Sequence, residues 1–137
     1  MKTQYLLSIL CSSALSIGSL AHAQTPANYP NKPVKMVVGF APGGAADYVA
    51  RNISDAMGKS LGQSIIVENK AGAGSSIAAE AVSKATPDGY TILIASPSSI
   101  SVNPALNAKL GYTPKDLFPV TKITTSPLVV AANPNAG

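Results

Sequence analysis

The chain has 137 residues, 46% of them hydrophobic and 12% charged, with a formal net charge of +4, one Cys and one His. That length suits one small domain with enough apolar content for a core. The lysines (Lys32, Lys35, Lys59, Lys70, Lys84, Lys109, Lys115 and Lys122) are scattered and form no basic stripe interleaved with aromatics, which argues against a nucleic-acid partner.

Met1-Lys2 is a short basic n-region, Leu6 to Leu20 is apolar with small residues, and Ala21-His22-Ala23 is a small-x-small cleavage site. Residues 1–23 therefore read as a secretory signal peptide cleaved after Ala23. The apolar run is too short and too Ser-rich for a membrane span. Cys11 follows the bulky Leu10 inside that run, unlike the anchor cysteine of a lipoprotein. Cleavage removes Cys11 and His22, the only residues of their types, and leaves 114 residues with nine basic and six acidic side chains. Such a chain has no Cys nucleophile, no Ser-His triad, no disulfide and no Cys/His metal site. A binding function without catalysis, metal or cofactor rises by elimination.

Residues 24–33 read as a polar, Pro-containing extended arm. Val34 to Val38 is apolar but for Lys35, close to the pattern of a strand buried on both faces. Gly39 to Gly44 is a Gly/Pro loop. It opens a helix predicted over Ala45 to Leu61, whose apolar positions Ala46, Val49, Ala50, Ile53, Met57 and Leu61 follow three-four spacing. Asp47 lies in its first turn, where a carboxylate is favoured, and Gly62 is its stop. Ile65-Ile66-Val67 is a second strand, followed by a second glycine loop, Asn69 to Gly74. Ser75 or Ser76 is expected to cap a second helix, with Ile77, Ala78, Ala81, Val82 and Ala85 on one side. Thr86-Pro87-Asp88-Gly89 is a turn, and Tyr90 to Ala95 a third strand. This β-α-β-α-β order with short connections predicts a parallel sheet covered on both faces. Ser96 to Asn103 is a third polar loop. Short helices are expected from Asn103 and from Thr113-Pro114, and further strands at Val120 to Ile123 and Leu128 to Ala132.

Ligands of open α/β sheets sit outside the carboxyl ends of the strands. Three loops leave such ends here, and the first two run into helix N-termini. Unpaired amides and a partial positive charge there favour anions. Glycines let a ligand reach the backbone. The loops carry no evident catalytic base. Gly72-Ala73-Gly74-Ser75-Ser76-Ile77 lacks the third glycine of a dinucleotide fingerprint, and no acidic residue closes the next strand. Nothing local raises the pKa of Asp47 or Glu68, so a glycosidase-like carboxylate pair is disfavoured. A site for a small carboxylate or phosphate, bound through backbone N–H groups, Ser hydroxyls and water, is the best fit.

Four spaced motifs then carry a resemblance. These are Tyr29-Pro30 to Pro33-Val34 followed by Val38-Gly39-Phe40-Ala41-Pro42-Gly43-Gly44-Ala45-Ala46-Asp47; Val67-Glu68-Asn69-Lys70-Ala71-Gly72-Ala73-Gly74; Pro87-Asp88-Gly89-Tyr90-Thr91; and Asn103-Pro104-Ala105-Leu106. Together they resemble the Bug family, the extracytoplasmic solute receptors of tripartite tricarboxylate transporters. The resemblance implies a parallel-sheet α/β lobe of a type II periplasmic-binding-protein-like (Venus flytrap) fold. It implies a periplasmic receptor of two lobes and a hinge, with membrane transporter subunits as partners and no membrane insertion of the mature chain. The ligand would be a dicarboxylate, a citrate-like acid, an amino acid or a nicotinate-like compound. By position, the ligand-binding residues are Phe40, Ala41, Pro42, Gly43, Gly44 and Asp47, then Gly72, Ala73, Gly74 and Ser75, with Ser96 and Ser98 from the third loop.

The sequence departs from the family in two ways. The second loop often reads Pro-Gly-Ala-Gly-Gly in the family, whereas Ser75 here adds a side chain that narrows the pocket or adds a hydroxyl contact. Family receptors are also more than twice as long. The expected division is 34–126 as the N-terminal part of the first lobe and 127–137 as the start of a hinge strand, in a truncated frame that binds weakly or not at all by itself. Two other readings stand beside this one. A secreted α/β hydrolase-like remnant is opposed by the absent His and the absent G-x-S-x-G elbow. A non-catalytic interaction fragment would pair through an open sheet edge.

Overall fold

The computed structural model describes residues 28–125 and 131–134. The expected signal peptide, the first residues of the 24–33 arm and most of the 127–137 segment lie outside the described residues, as does the larger part of the strand expected at Leu128 to Ala132. Three strands, β1 (Val34–Val38), β2 (Ile65–Asn69) and β3 (Thr91–Ile94), form a parallel sheet in the order β2-β1-β3. Val34 pairs with Ile65 and Val38 with Asn69 on one side of β1, and Val38 pairs with Ile94 on the other. Central β1 is apolar apart from the exposed Lys35, because both its faces are covered: Val34, Met36, Val37 and Val38 are each at most 2% exposed.

Helix α1 (Ala45–Leu61) connects β1 to β2. Its residues Ala46, Ala50, Ile53 and Met57 pack on Met36, Val38, Ile65, Val67, Ile92 and Ile94 as their spacing predicts, whereas Leu61, expected on the same face, is exposed at the end of the helix. Gly62 closes it in the left-handed conformation. Helix α2 (Ser76–Ser83) connects β2 to β3 and packs on β3 and β1. The two crossovers run to opposite sides of β1, so right-handedness puts α2 on the face that α1 leaves. The buried α2 residues are Ser76, Ala78 and Ala79, whereas Ile77, expected on the core side, is half exposed and Ala85 falls beyond the helix. The small alanines bring α2 close to the sheet.

After β3 the chain turns through Ser98–Val102 into the one-turn helix α3 (Asn103–Leu106). The helix expected at Thr113 is a single turn, Pro114–Asp116, held by the Asp116 carboxylate, which accepts from Thr113 N–H at 2.6 Å and from Thr113 Oγ1 at 3.0 Å. The strand expected at Val120 to Ile123 is irregular chain with Val120 82% exposed. Its apolar residues have no neighbouring strand among the described residues, and a strand needs a ladder as well as a pattern. Near the carboxyl end of β2, the Glu68 carboxylate accepts from Lys35 at 2.8 Å and Lys70 at 2.7 Å. These two ammonium groups hold its pKa down to about 2.

Candidate functional site

The three loops expected to line the site leave the carboxyl ends of β1, β2 and β3, and side-chain amides stitch them together. The first loop, 39–44, runs into α1 without a side-chain cap: Gly44 occupies the N-cap position and makes no side-chain bond, and the first intrahelical bond is Tyr48 N–H to the Gly44 carbonyl at 2.9 Å. The amides of Ala45, Ala46 and Asp47 therefore have no helical acceptor. Phe40, Ala41, Pro42, Gly43 and Gly44 are all exposed.

Asp47, one turn in, is 4% exposed and fully engaged. Its Oδ2 accepts from Gly43 N–H at 2.9 Å and Arg51 Nε at 3.0 Å, and its Oδ1 from Asn69 Nδ2 at 2.9 Å. The Arg51 guanidinium, then the Gly43 amide, then Asn69 hold this carboxyl well below the usual carboxylate range. Asn69 Nδ2 also donates to the Phe40 carbonyl at 3.0 Å, and its Oδ1 accepts from Arg51 Nη2 at 3.2 Å. Asp47 thus shapes the first loop and ties it to the end of β2; both of its oxygens are already in use. The cations beside the loops are likewise paired, Arg51 with Asp47 and Lys70 with Glu68.

The second loop is more contorted. Gly72 stands at φ 134°, a region that only glycine enters readily, and Ala73, Gly74 and Ser75 follow in left-handed conformations at φ 46°, 60° and 72°. The Ser75 amide bonds the Gly72 carbonyl at 3.0 Å, and the Ser76 amide bonds that of Ala73. The expectation that Ser75 or Ser76 caps α2 fails: Ser75 sits at the N-cap position but in a left-handed conformation that turns its side chain away from the helix amides. Its hydroxyl is instead buried against Gly39, the residue is 1% exposed, and Oγ has no hydrogen-bond partner among the described residues. Helix α2, like α1, thus begins with an uncapped N-terminus.

The third loop is more self-contained. Ser96 N–H donates to Ser99 Oγ at 3.1 Å and Ser99 Oγ to the Ser96 carbonyl at 3.0 Å, so these serines fix their own turn; Ser98 is half-buried. The Tyr112 hydroxyl donates to the Ser99 carbonyl. Asn103 Nδ2 reaches across to Ala73 and Gly74. Sequence reasoning missed Arg51, Asn69, Ser99, Asn103 and Tyr112 as organisers of the site. Asn69 and Asn103 sit inside the motifs that carry the resemblance, which is the available signal, but their partners lie 18 to 30 residues away.

A parallel α/β sheet with two uncapped helix N-termini over its carboxyl edge has the architecture of the open-sheet α/β proteins, whose ligand sites lie outside the carboxyl ends of the strands. The family is more specific. The model described as "Tripartite tricarboxylate transporter family receptor" matches residues 49–136, and the chain belongs to that family, TctC. It is 40% identical over 121 residues to a UPF0065 protein of Bordetella pertussis (88% of this chain, 36% of the relative) and 41% identical over 108 residues to BugT of the same organism (77% and 33%). It therefore spans about a third of the length of these curated relatives. Among solved structures it is similar to periplasmic binding protein BugD, with 44% identity and a TM-score of 0.51 over 63% of this chain and 28% of that one. It is also similar to MatC from Rhodopseudomonas palustris with bound malate, with 44% identity and a TM-score of 0.59 over 63% and 29%. A further R. palustris protein, solved with adipate, matches at 32% identity and a TM-score of 0.56, over 64% of this chain and 29% of that one. The fold is the parallel-sheet α/β architecture of these binding proteins. Among the described residues, no helix is long and apolar enough to cross a membrane.

Proposed function

We propose that the chain is the carboxylate-gripping part of a periplasmic solute-binding receptor, which delivers a small carboxylate to a tripartite tricarboxylate-type membrane transporter and performs no chemistry on it. In this reading residues 1–23 direct export, 34–126 build the N-terminal part of the first lobe, and 127–137 lead towards a second. One observation carries the proposal. The N-termini of α1 and α2 are both uncapped and lie on loops joined through Asn69 and the Gly39–Ser75 contact. A carboxylate held there receives hydrogen bonds from backbone donors and the favourable end of two helix dipoles. The ligand surface comprises Phe40, Ala41, Pro42, Gly43 and Gly44 with Gly72, Ala73, Gly74 and Ser75, supported by Ser96 and Ser98. Asp47 acts by holding the first loop. Malate in MatC and adipate in its relative support a dicarboxylate as ligand.

Titrating malate and adipate into the ¹⁵N-labelled chain tests this reading. Amide shifts are expected to move at Gly43 to Ala46 and Gly72 to Ile77, with a Kd near about 1 mM, or about 4 kcal/mol, for a ligand gripped from one side. Saturation that leaves both loops unmoved overturns the proposal.

A further inference from the structure

Asn103 opens α3 at the end of the third loop, yet its side chain is fixed by the second. Nδ2 stands 3.0 Å from the Ala73 carbonyl, 3.0 Å from the Gly74 carbonyl and 2.7 Å from Ser76 Oγ. Carbonyl oxygens only accept, so the amide nitrogen must face them and the orientation of the carboxamide follows from the chemistry. Its two protons serve three oxygens, so they are shared. The carbonyls it holds belong to residues in left-handed conformations, one of them the non-glycine Ala73. Such conformations persist only where the surroundings over-determine them. The Ser75 hydroxyl contributes no hydrogen bond to that constraint.

We infer that Asn103 is a positioning residue for the carboxylate site: by binding the carbonyls of Ala73 and Gly74 it holds the second loop in its left-handed turn, with the amides of Gly72, Ala73 and Gly74 left for the ligand. The inference rests on the reading of these loops as a carboxylate grip. Those three amides have no protein acceptor among the described residues. A peptide group cannot turn its N–H without turning the C=O that precedes it, so the bond to the Ala73 carbonyl fixes the Gly74 amide, and the bond to the Gly74 carbonyl fixes the Ser75 amide, whose own bond to the Gly72 carbonyl at 3.0 Å fixes the Ala73 amide. Asn69 does the corresponding work on the first loop through the Phe40 carbonyl.

The test compares Asn103→Asp and Asn103→Leu with the unaltered chain by amide hydrogen exchange, malate titration and urea unfolding. Asp has the shape of Asn but, when ionised, places an acceptor against two carbonyls. At neutral pH, exchange at Ser75 and Ser76 is expected to quicken at least about tenfold in both variants, the effect of losing one or two such bonds. Malate affinity is expected to fall by about the same factor with the α1 and β1 amides unchanged. Acidification protonates the substituted carboxyl, which then donates one bond, so Asn103→Asp recovers loop protection below about pH 4 relative to the unaltered chain and Asn103→Leu does not. Wild-type loop exchange in Asn103→Asp, or identical pH profiles for the two variants, overturns the inference. If malate binds nowhere while the loop still responds to the variants, the carboxylate reading fails and the clamp on the second loop stands.

Discussion

The contact between Gly39 and Ser75 sets up a double-mutant test of how the two loops are joined. A Cβ at residue 39 would fall 1.7 Å from Ser75 Oγ, 2.4 Å from its Cβ and 2.8 Å from its Cα. Rotating the serine relieves only the first of these, because the others belong to fixed atoms. Gly39→Ala should therefore cost about 3 kcal/mol, the upper end for overpacking. Ser75→Gly acts in the opposite direction. It removes a left-handed non-glycine, a gain of about 1–2 kcal/mol, and a buried hydroxyl without a partner, a gain of about 1–3 kcal/mol. It loses about 1 kcal/mol of packing and about 0.5–1 kcal/mol of backbone entropy, leaving a net stabilisation of about 0–3.5 kcal/mol. In the Ser75→Gly background the added methyl is relieved of both serine side-chain atoms and keeps the close approach to the Cα at 2.8 Å, so the double variant should cost no more than about 1 kcal/mol relative to Ser75→Gly alone. Urea unfolding of the four proteins measures a coupling of about 2 kcal/mol, which corresponds to a Tm difference of about 8–16 °C for a domain of this size. Additive costs, or a Ser75→Gly variant less stable than the parent, would refute the reasoning.

Glu68→Gln should abolish one acid-sensitive contribution. The folded carboxyl titrates near about 2 and the unfolded one near about 4.3, so the stabilisation is complete above that higher value and disappears as the pH falls towards 2. The pair is half exposed, so the loss is at most about 1 kcal/mol; urea midpoints across this range check it. Tyr112→Phe removes the donor to the Ser99 carbonyl and should cost about 1–2 kcal/mol, with faster amide exchange confined to the third loop and α3.

The sheet and its first helix were legible because local pattern dictates them. The run Val34–Val38 and the three-four stripe of Ala45–Leu61 have the same bounds in the sequence reading and in the structure. Strand β2 runs two residues past its apolar core because Val37 and Val38 of β1 offer ladder partners to Glu68 and Asn69. The same dependence on a neighbour defeats the strand expected at Val120 to Ile123. The cap expected from Ser75 rests on residue type, and a backbone already turned left-handed aims its hydroxyl elsewhere. The glycine loops are visible in the sequence, but the side chains that hold them in place do not announce themselves. Asn69, Arg51 and Asn103 become meaningful only when chain segments distant in sequence are brought together.

A grip made of backbone amides has a consequence for pH. Peptide N–H groups do not titrate, and the carboxylate that organises the first loop, Asp47, is held well below its ordinary range by Arg51, the Gly43 amide and Asn69. Residues 28–137 contain no His. Between about pH 6 and 8 neither a group of the proposed site nor the ligand changes charge, so malate affinity should be flat there and fall at lower pH as the ligand itself takes up protons. A site built on lysine or histidine would instead lose affinity towards alkaline pH as its cation deprotonated. A calorimetric series that bends near neutrality would place a titrating side chain against the ligand, and that is incompatible with recognition by the two helix N-termini alone.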